Sequence, residues 1–180
     1  FLYRFLRKLD NFTMQNARLL ITLNEIMKTE IIRRSNTQSE IVIIENPSVP
    51  LNINPKSEKK KGFSFTGNLG RLQRIPLLID AINKYEKSGG TLNFEFAGGG
   101  IFSDQINKLS NHNSLVKYHG FVSADHAVSI SSDYEWALVP IEDEITRFAF
   151  PSKISSYICS GAKIIAICGK YTSVAKWVSS

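Results

Sequence analysis

A proline, a serine and a lysine stand together at the start of a predicted helix within Phe150–Gly161. Proline is favoured at the first helical position, where its missing N–H is not needed, and we place Pro151 there. The free N–H groups of a first helical turn attract anions, and the helix dipole strengthens that attraction. Ser152 and Lys153 in this turn therefore predict a binding site for a phosphate or diphosphate. A solvated surface lysine is the alternative interpretation of Lys153.

A second group of candidate ligand residues lies in the turn Gly67–Arg74, which follows the predicted strand Phe63–Thr66. Glycines in this turn let the backbone approach a ligand without a clash from Cβ. Arg71 and Arg74 carry planar guanidinium groups that can neutralise a diphosphate through paired hydrogen bonds. The third glycine of a dinucleotide-binding fingerprint is missing. A glycine turn with two solvated arginines explains this segment equally well.

Three further groups give weaker signals. The triplet Gly98–Gly100 follows the predicted strand Leu92–Ala97, and it either borders a ligand or is only a flexible turn. His119 is retained as a candidate ligand contact, although a core or surface position explains it better. Asp143 and Glu144 are interpreted by default as a solvated charge run. The sequence contains no zinc-ligand spacing, serine nucleophile elbow or P-loop, which argues against metal-dependent, serine-hydrolase and P-loop NTPase chemistry.

The composition is that of an ordinary globular protein. The 180 residues are 43% hydrophobic and 21% charged, and no apolar run is long enough to span a bilayer. A net charge of +6 favours anionic partners such as nucleotides or anionic lipid. Nucleic-acid binding is disfavoured because the basic residues are dispersed and no RNA-recognition signature occurs. Cys159 and Cys168 are interpreted as core residues in a reducing compartment.

From Gly62 onward, predicted strands and helices alternate with short turns between them. This alternation predicts a parallel sheet covered by helices on both faces. Ligands of such sheets bind at the carboxyl ends of the strands. The glycine-rich turns and the Pro-Ser-Lys segment all follow predicted strands, so they are expected to meet at that edge.

The first 45 residues have their own pattern. Residues 1–17 predict a basic helix with Phe1, Phe5, Leu9 and Phe12 on one face. We favour packing of this helix on its own domain, and contact with an anionic membrane surface is the alternative. Two buried strands are predicted at 18–23 and 40–45, with a helix between them that Asn24 caps. Three prolines within the next ten residues predict an irregular linker and a domain boundary.

Four segments together resemble the donor-binding domain of GT-B glycosyltransferases, nearest family 4: Phe65–Gly70, Phe96–Gly100, His119–Val122 and Pro151–Gly161. The resemblance implies a Rossmann-like α/β fold in which residues 46–180 form a C-terminal nucleotide-sugar-binding domain. Residues 1–45 are expected to be the tail of a preceding acceptor-side α/β domain. The abrupt start and the final helical segment lead us to expect a piece of a longer chain, incomplete at its C-terminus.

The resemblance also implies a function. It predicts transfer of a sugar from a UDP- or GDP-linked donor to a saccharide or lipid-linked acceptor, without a cofactor or bound metal. The expected setting is cell-surface polysaccharide synthesis in the cytoplasm, at the inner face of the membrane. The catalytic group is not assigned. The expected donor-binding residues are Gly67, Asn68, Gly70, Arg71, Arg74, Gly98, Gly99, Ser152, Lys153 and Ser156.

The sequence departs from the family pattern at three positions. Ser156 stands where a ribose-binding glutamate is usual, and Phe148 stands where an upstream acidic residue contacts the sugar. Gln73 replaces a lysine that commonly follows the first glycine turn. These departures keep open a non-catalytic or degenerate nucleotide-sugar-binding module as the alternative function. A sugar-nucleotide epimerase would need acidic or histidine catalysts that the sequence does not place. The 180 residues alone are not expected to turn over, because the catalytic cleft needs both domains.

Overall fold

The computed structural model describes residues 2–44, 58–147 and 149–180, and strands and helices alternate over most of this length. The strands are β1 (Leu19–Thr22), β2 (Glu40–Ile43), β3 (Lys60–Thr66), β4 (Asn93–Ala97), β5 (Val116–Tyr118), β6 (Tyr134–Pro140) and β7 (Lys163–Ile167). The α-helices are α1 (Leu2–Asn16), α2 (Glu25–Ser35), α3 (Ile75–Lys87), α4 (Ser103–His112), α5 (Ala124–Asp133), α6 (Lys153–Cys159) and α7 (Ser173–Ser179). Two 3-10 helices cover Arg71–Gln73 and Asp143–Arg147.

Strands β3 to β7 form one parallel sheet in the order β5-β4-β3-β6-β7. The chain builds outward from β3 through β4 to β5, and then returns to place β6 on the other side of β3. The strand order therefore reverses between β3 and β6, which is the point where open α/β sheets bind ligands. The turn after β3 and the loop after β6 flank this switch point.

Helices cover both faces of the sheet, as the sequence predicts. On one face, Phe65, Phe96 and Leu138 belong to a buried cluster that also includes apolar residues of α3 and α4. On the other face, Ala137 and Val139 belong to a second cluster with residues of α6 and α7. Because neighbouring residues of β6 enter different clusters, both faces of this central strand are buried. The predicted α/β class and parallel architecture are confirmed.

One local prediction is wrong. Strand β3 begins at Lys60, three residues before the predicted start, because Lys60 pairs in register with Tyr134 of β6. The Lys60 ammonium also lies 3.5 Å from the Asp133 carboxylate, so this lysine belongs to the sheet and not to the linker. In β4, Phe94 to Ala97 are all buried, because this strand is covered on both faces. The predicted domain boundary falls in residues 45–57, outside the described residues.

The N-terminal elements form a second, two-stranded parallel sheet of β1 and β2. Asn24 caps α2 as predicted, because its side chain accepts a hydrogen bond from the Met27 N–H at 2.9 Å. Helix α1 packs on α2 through Gln15, whose amide donates to the Ser35 carbonyl at 2.6 Å. Large apolar side chains of α1 remain exposed: Leu2, Tyr3, Phe5, Leu6, Leu9 and Phe12. In the described part of the chain, none of the helices has the length and apolar character needed to cross a bilayer.

Candidate functional site

The two glycine turns at the carboxyl ends of β3 and β4 pack directly against each other. A Cβ at Gly98, which has a φ of +130°, would lie only 1.9 Å from the carbonyl oxygen of Gly67. Hydrogen bonds of 2.9 Å join the Gly67 N–H to the Ala97 carbonyl and the Leu69 N–H to the Gly99 carbonyl. The glycine triplet is therefore a close backbone contact, and its interpretation as only a flexible turn is wrong.

Lys153 reaches this contact from the start of α6. A Cβ at Gly67 would be 3.2 Å from the Lys153 ammonium, so the glycine leaves room for the cation. The Nζ atom lies 4.0 Å from the centroid of the Phe65 ring and is buried without a hydrogen-bond partner among the described residues. Burial lowers the pKa of Lys153 to about 8. The interpretation of Lys153 as a solvated surface residue is wrong.

An unpartnered buried ammonium is unfavourable because it has lost its water without gaining an acceptor. It is therefore also the strongest indication of an anionic ligand in the described part of the chain. An anion placed between Lys153 and the Gly67 turn would supply the missing acceptor, in a setting where desolvation strengthens the electrostatic interaction. The location at the switch point of the sheet agrees with this interpretation.

Tyr157 fixes α6 against the end of β3, a role that the sequence motifs do not indicate. Its buried hydroxyl accepts from the Thr66 N–H at 2.9 Å and donates to the Thr66 carbonyl at 3.1 Å. Lys153 and Tyr157 are four residues apart, so they share one face of the helix. This spacing is the sequence signal that could have linked the two side chains to one site.

The start of α6 differs from the prediction. The helix begins at Lys153, Ser152 precedes it as the N-cap residue, and Pro151 therefore lies outside the first helical position. The Pro151 carbonyl accepts from the Ile154 N–H at 3.1 Å, which makes a tight turn ahead of the helix. Ser152 is exposed and its side chain caps no N–H, whereas Ser156 is half-buried one turn further on. Because α6 has only seven residues, the Lys153 side chain, and not the helix N-terminus, is its main candidate anion-binding group.

The turn after β3 brings the other predicted donor-binding residues to the same edge. Asn68 and Arg71 are exposed, and the described residues give the Arg71 guanidinium no ion pair. Gly70 is buried, and a Cβ there would lie 2.9 Å from both the Asn68 and Gln73 side-chain amides. The Gln73 amide oxygen is buried and has no hydrogen-bond partner in the described part of the chain.

Arg74 also lies at this edge, but carboxylates already engage its guanidinium. Its Nη2 is 2.8 Å from Asp143 and its Nε is 3.2 Å from Glu142. Asp143 also accepts a hydrogen bond from the Gly169 N–H at 2.7 Å. The interpretation of Asp143 as part of a solvated charge run is therefore wrong, because it joins two loops.

His119 and Phe148 are the remaining residues that the sequence analysis singled out. His119 does not point freely to a ligand, because its Nε2 contacts the buried Glu95 carboxylate. Burial raises the pKa of Glu95, but hydrogen bonds from Tyr134 and His119 outweigh it, so the net pKa is below its ordinary value. Phe148 lies outside the described residues. In ranges 2–44, 58–147 and 149–180, no three His, Cys, Asp or Glu side chains form a group suited to a metal.

Comparisons with known proteins agree with this architecture. No protein-family model matches the chain. A probable glycosyltransferase, WbjE of Pseudomonas aeruginosa, is 27% identical over 191 residues, which cover 97% of this chain and 46% of that protein. TarM of S. aureus, solved with fondaparinux, alpha-GlcNAc-glycerol and UDP, superposes with a TM-score of 0.69 at 17% identity. That superposition covers 88% of this chain and 31% of TarM.

The lipopolysaccharide outer core galactosyltransferase WaaB gives a TM-score of 0.63 at 17% identity, over 91% of this chain and 51% of WaaB. The chain has a GT-B glycosyltransferase fold. WbjE, the sequence relative, is itself a probable glycosyltransferase, and this chain spans about half the length of that relative. The Lys153 site thus lies on a GT-B scaffold, at the carboxyl edge where β3 and β6 meet.

Proposed function

We propose that this chain binds a UDP- or GDP-linked sugar at the Lys153 site and supplies the donor half of a glycosyltransferase. The transfer would place the sugar on a saccharide or lipid-linked acceptor during cell-surface polysaccharide synthesis. The buried, unpartnered Lys153 ammonium beside Gly67 is the observation that carries the proposal. UDP in the TarM structure and the lipopolysaccharide role in the name of WaaB support the same class of substrate.

Departure of a nucleoside diphosphate leaves negative charge on the leaving group. In this proposal the Lys153 ammonium donates a hydrogen bond to that diphosphate and stabilises the developing charge. The low-dielectric surroundings make the interaction stronger than it would be in water. Arg71, exposed in the turn after β3, adds a second cation at the same edge. These groups would do the work without a bound metal or cofactor.

The remaining assignments concern the shape of the site. Gly67, Asn68 and Gly70 would face the diphosphate, and Gly98 and Gly99 would border the nucleotide. Ser152, just before α6, and Ser156, within it, would contribute hydroxyl groups to the same site, and Ser156 would bind the ribose hydroxyls. Because a serine hydroxyl binds those hydroxyls without the charge of a carboxylate, Ser156 also favours the alternative of a nucleotide-sugar-binding module without turnover.

Nucleotide binding tests the proposal directly. Calorimetric titration of UDP and GDP into the protein is expected to show saturable binding of at least one of them. Lys153→Ala should weaken that binding by more than about tenfold, which corresponds to about 1.4 kcal/mol. Lys87→Ala is the matched control, because Lys87 is exposed at the far end of α3 and carries the same charge. No binding of either nucleotide at millimolar concentration, or unchanged affinity in folded Lys153→Ala, refutes the donor site.

Turnover separates the enzyme from the alternative. Formation of the glycosylated saccharide or lipid-linked acceptor, with release of the nucleoside diphosphate, supports transferase activity. Tight nucleotide binding without any transfer by the full-length protein supports the non-catalytic module instead.

The cellular setting belongs to the same proposal: the cytoplasm, at the inner face of the membrane. Helix α1 exposes apolar side chains such as Phe5 and Leu9, with Arg4, Arg7 and Lys8 exposed on the same helix. Such a helix can contact an anionic lipid surface. Cosedimentation with anionic vesicles, but not with neutral ones, supports this setting. Failure to cosediment with either kind of vesicle argues against it.

A further inference from the structure

The Asp143 carboxylate joins two loops at the carboxyl edge of the sheet. Its Oδ1 accepts from the Gly169 N–H at 2.7 Å and from the Arg74 Nη2 at 2.8 Å. A Cβ at Gly169 would lie 2.2 Å from Asp143 Oδ2, so the carboxylate packs tightly against that glycine. The loop after β7 and the turn after β3 are thereby connected through one side chain in the loop after β6.

The residue on the β3 side of this connection has an unusual backbone. Arg74 has a φ of 45°, in the left-handed region that non-glycine residues rarely adopt. It ends the 3-10 helix Arg71–Gln73 and also precedes the first residue of α3. The Glu142 N–H donates to the Leu72 carbonyl at 2.9 Å, which ties the same short helix to the loop after β6.

The two arginines of this turn differ in their acidic neighbours. Arg74 faces two carboxylates, Glu142 and Asp143, so its charge is already compensated within the protein. Arg71 is exposed, and the described contacts give its guanidinium no acidic partner. Arg71 is therefore the cation of this turn that remains free for a ligand, and Arg74 is the one that holds the turn.

We infer that Asp143 is a positioning residue: it acts through Arg74 to hold the first glycine turn, and with it Arg71, in the conformation that binds the diphosphate. This inference rests on the proposed function and adds a role for an acidic residue that would otherwise repel the ligand. The opposite arrangement, in which Arg74 contacts the diphosphate itself, makes the opposite prediction for Asp143.

Asp143→Asn distinguishes the two arrangements by the sign of its effect. Loss of a negative charge would strengthen diphosphate binding if Arg74 were a direct contact, because Arg74 would be freed. If Asp143 positions the turn, Asp143→Asn should weaken nucleotide binding by about tenfold, because a displaced Arg71 contributes less to binding. The nucleotide used is one that binds the wild-type protein. Glu144→Gln is the matched control. Glu144 is exposed and lines a cavity of about 250 Å³ together with Asp143, but it makes no described contact with Arg74. It should change affinity by less than about twofold.

A double-mutant cycle shows whether the effect passes through Arg71. In an Arg71→Ala background, Asp143→Asn should lose most of its effect, because the group that it positions is gone. In a Lys153→Ala background, Asp143→Asn should retain its effect, because that lysine is held by α6. A purely structural role of Asp143 would weaken binding equally in both backgrounds.

Arg74→Lys is the second variant, for use where Asp143→Asn fails to fold. It keeps the charge but cannot contact both carboxylates in the same way, so positioning predicts a similar loss of affinity. Unchanged or tighter binding by either folded variant overturns the inference. Normal nucleotide binding by the wild type together with unaffected variants refutes positioning alone. A wild-type protein that binds no nucleotide refutes the proposed function and this role together.

Discussion

Replacing Lys153 by methionine is expected to stabilise the ligand-free protein while weakening its nucleotide binding. Burial lowers the pKa of Lys153 from 10.5 to about 8. Since each pH unit corresponds to about 1.4 kcal/mol, the folded state disfavours the charged form by about 3 kcal/mol. Attraction to the Phe65 ring, 4.0 Å from Nζ, offsets about 1 kcal/mol of this. We therefore expect Lys153→Met to raise the free energy of unfolding by about 2 kcal/mol at pH 7.

The pH dependence gives the sign of the effect. The unfolded chain keeps the Lys153 proton to a higher pH than the folded protein does, so wild-type stability rises between about pH 8 and 10.5. The advantage of Lys153→Met is therefore largest below pH 8 and shrinks as the pH approaches 10.5. Urea unfolding at pH 7 and pH 9.5 measures both values. Lys87→Met, at an exposed position, should change stability by less than about 0.5 kcal/mol. A Lys153→Met protein that is equally or less stable than wild type at pH 7 refutes the reasoning.

Three further outcomes are expected. Gly98→Ala should lower the free energy of unfolding by about 3 kcal/mol, because its Cβ would meet the Gly67 carbonyl, whereas Gly89→Ala, with open space around it, should lose about 1 kcal/mol; equal losses in chemical denaturation would contradict this. Tyr157→Phe removes two buried hydrogen bonds to the Thr66 backbone and should lose about 2 kcal/mol, while exposed Tyr171→Phe should lose almost nothing. Nucleotide affinity should fall as the pH rises above about 8, because Lys153 loses its proton there, and calorimetry of Lys153→Ala should show a flatter profile.

The alternation of strands and helices was predictable because short segments of the sequence determine it. Apolar runs are followed by residues that interrupt regular structure, such as Gly67 after β3 and Asn24 before α2. The strand order was not predictable in the same way. It depends on β6 returning to the far side of β3, a pairing between segments about seventy residues apart that no local pattern records.

Among the candidate site residues, the sequence identified positions better than surroundings. Lys153 was expected near a phosphate or in water, and its burial depends on Gly67, which is distant in sequence and offers no side chain. Arg74 was expected to be a free cation, but its carboxylate partners lie 68 and 69 residues further along the chain. The rule for proline at helix starts failed at Pro151 because a tight turn precedes α6.

The position of Gly67 between two neighbours restricts how this chain can evolve. Gly98 packs against the Gly67 carbonyl, and the Lys153 ammonium lies close to the position that a Gly67 side chain would take. A side chain at Gly98 would therefore clash with the Gly67 carbonyl, and a side chain at Gly67 would crowd the Lys153 ammonium, so substitutions at both positions are disfavoured. Side chains that project freely at the same edge, such as Asn68 and Arg71, remain open to change. Divergence in donor preference is expected to accumulate at those exposed positions, around an interior that stays constant.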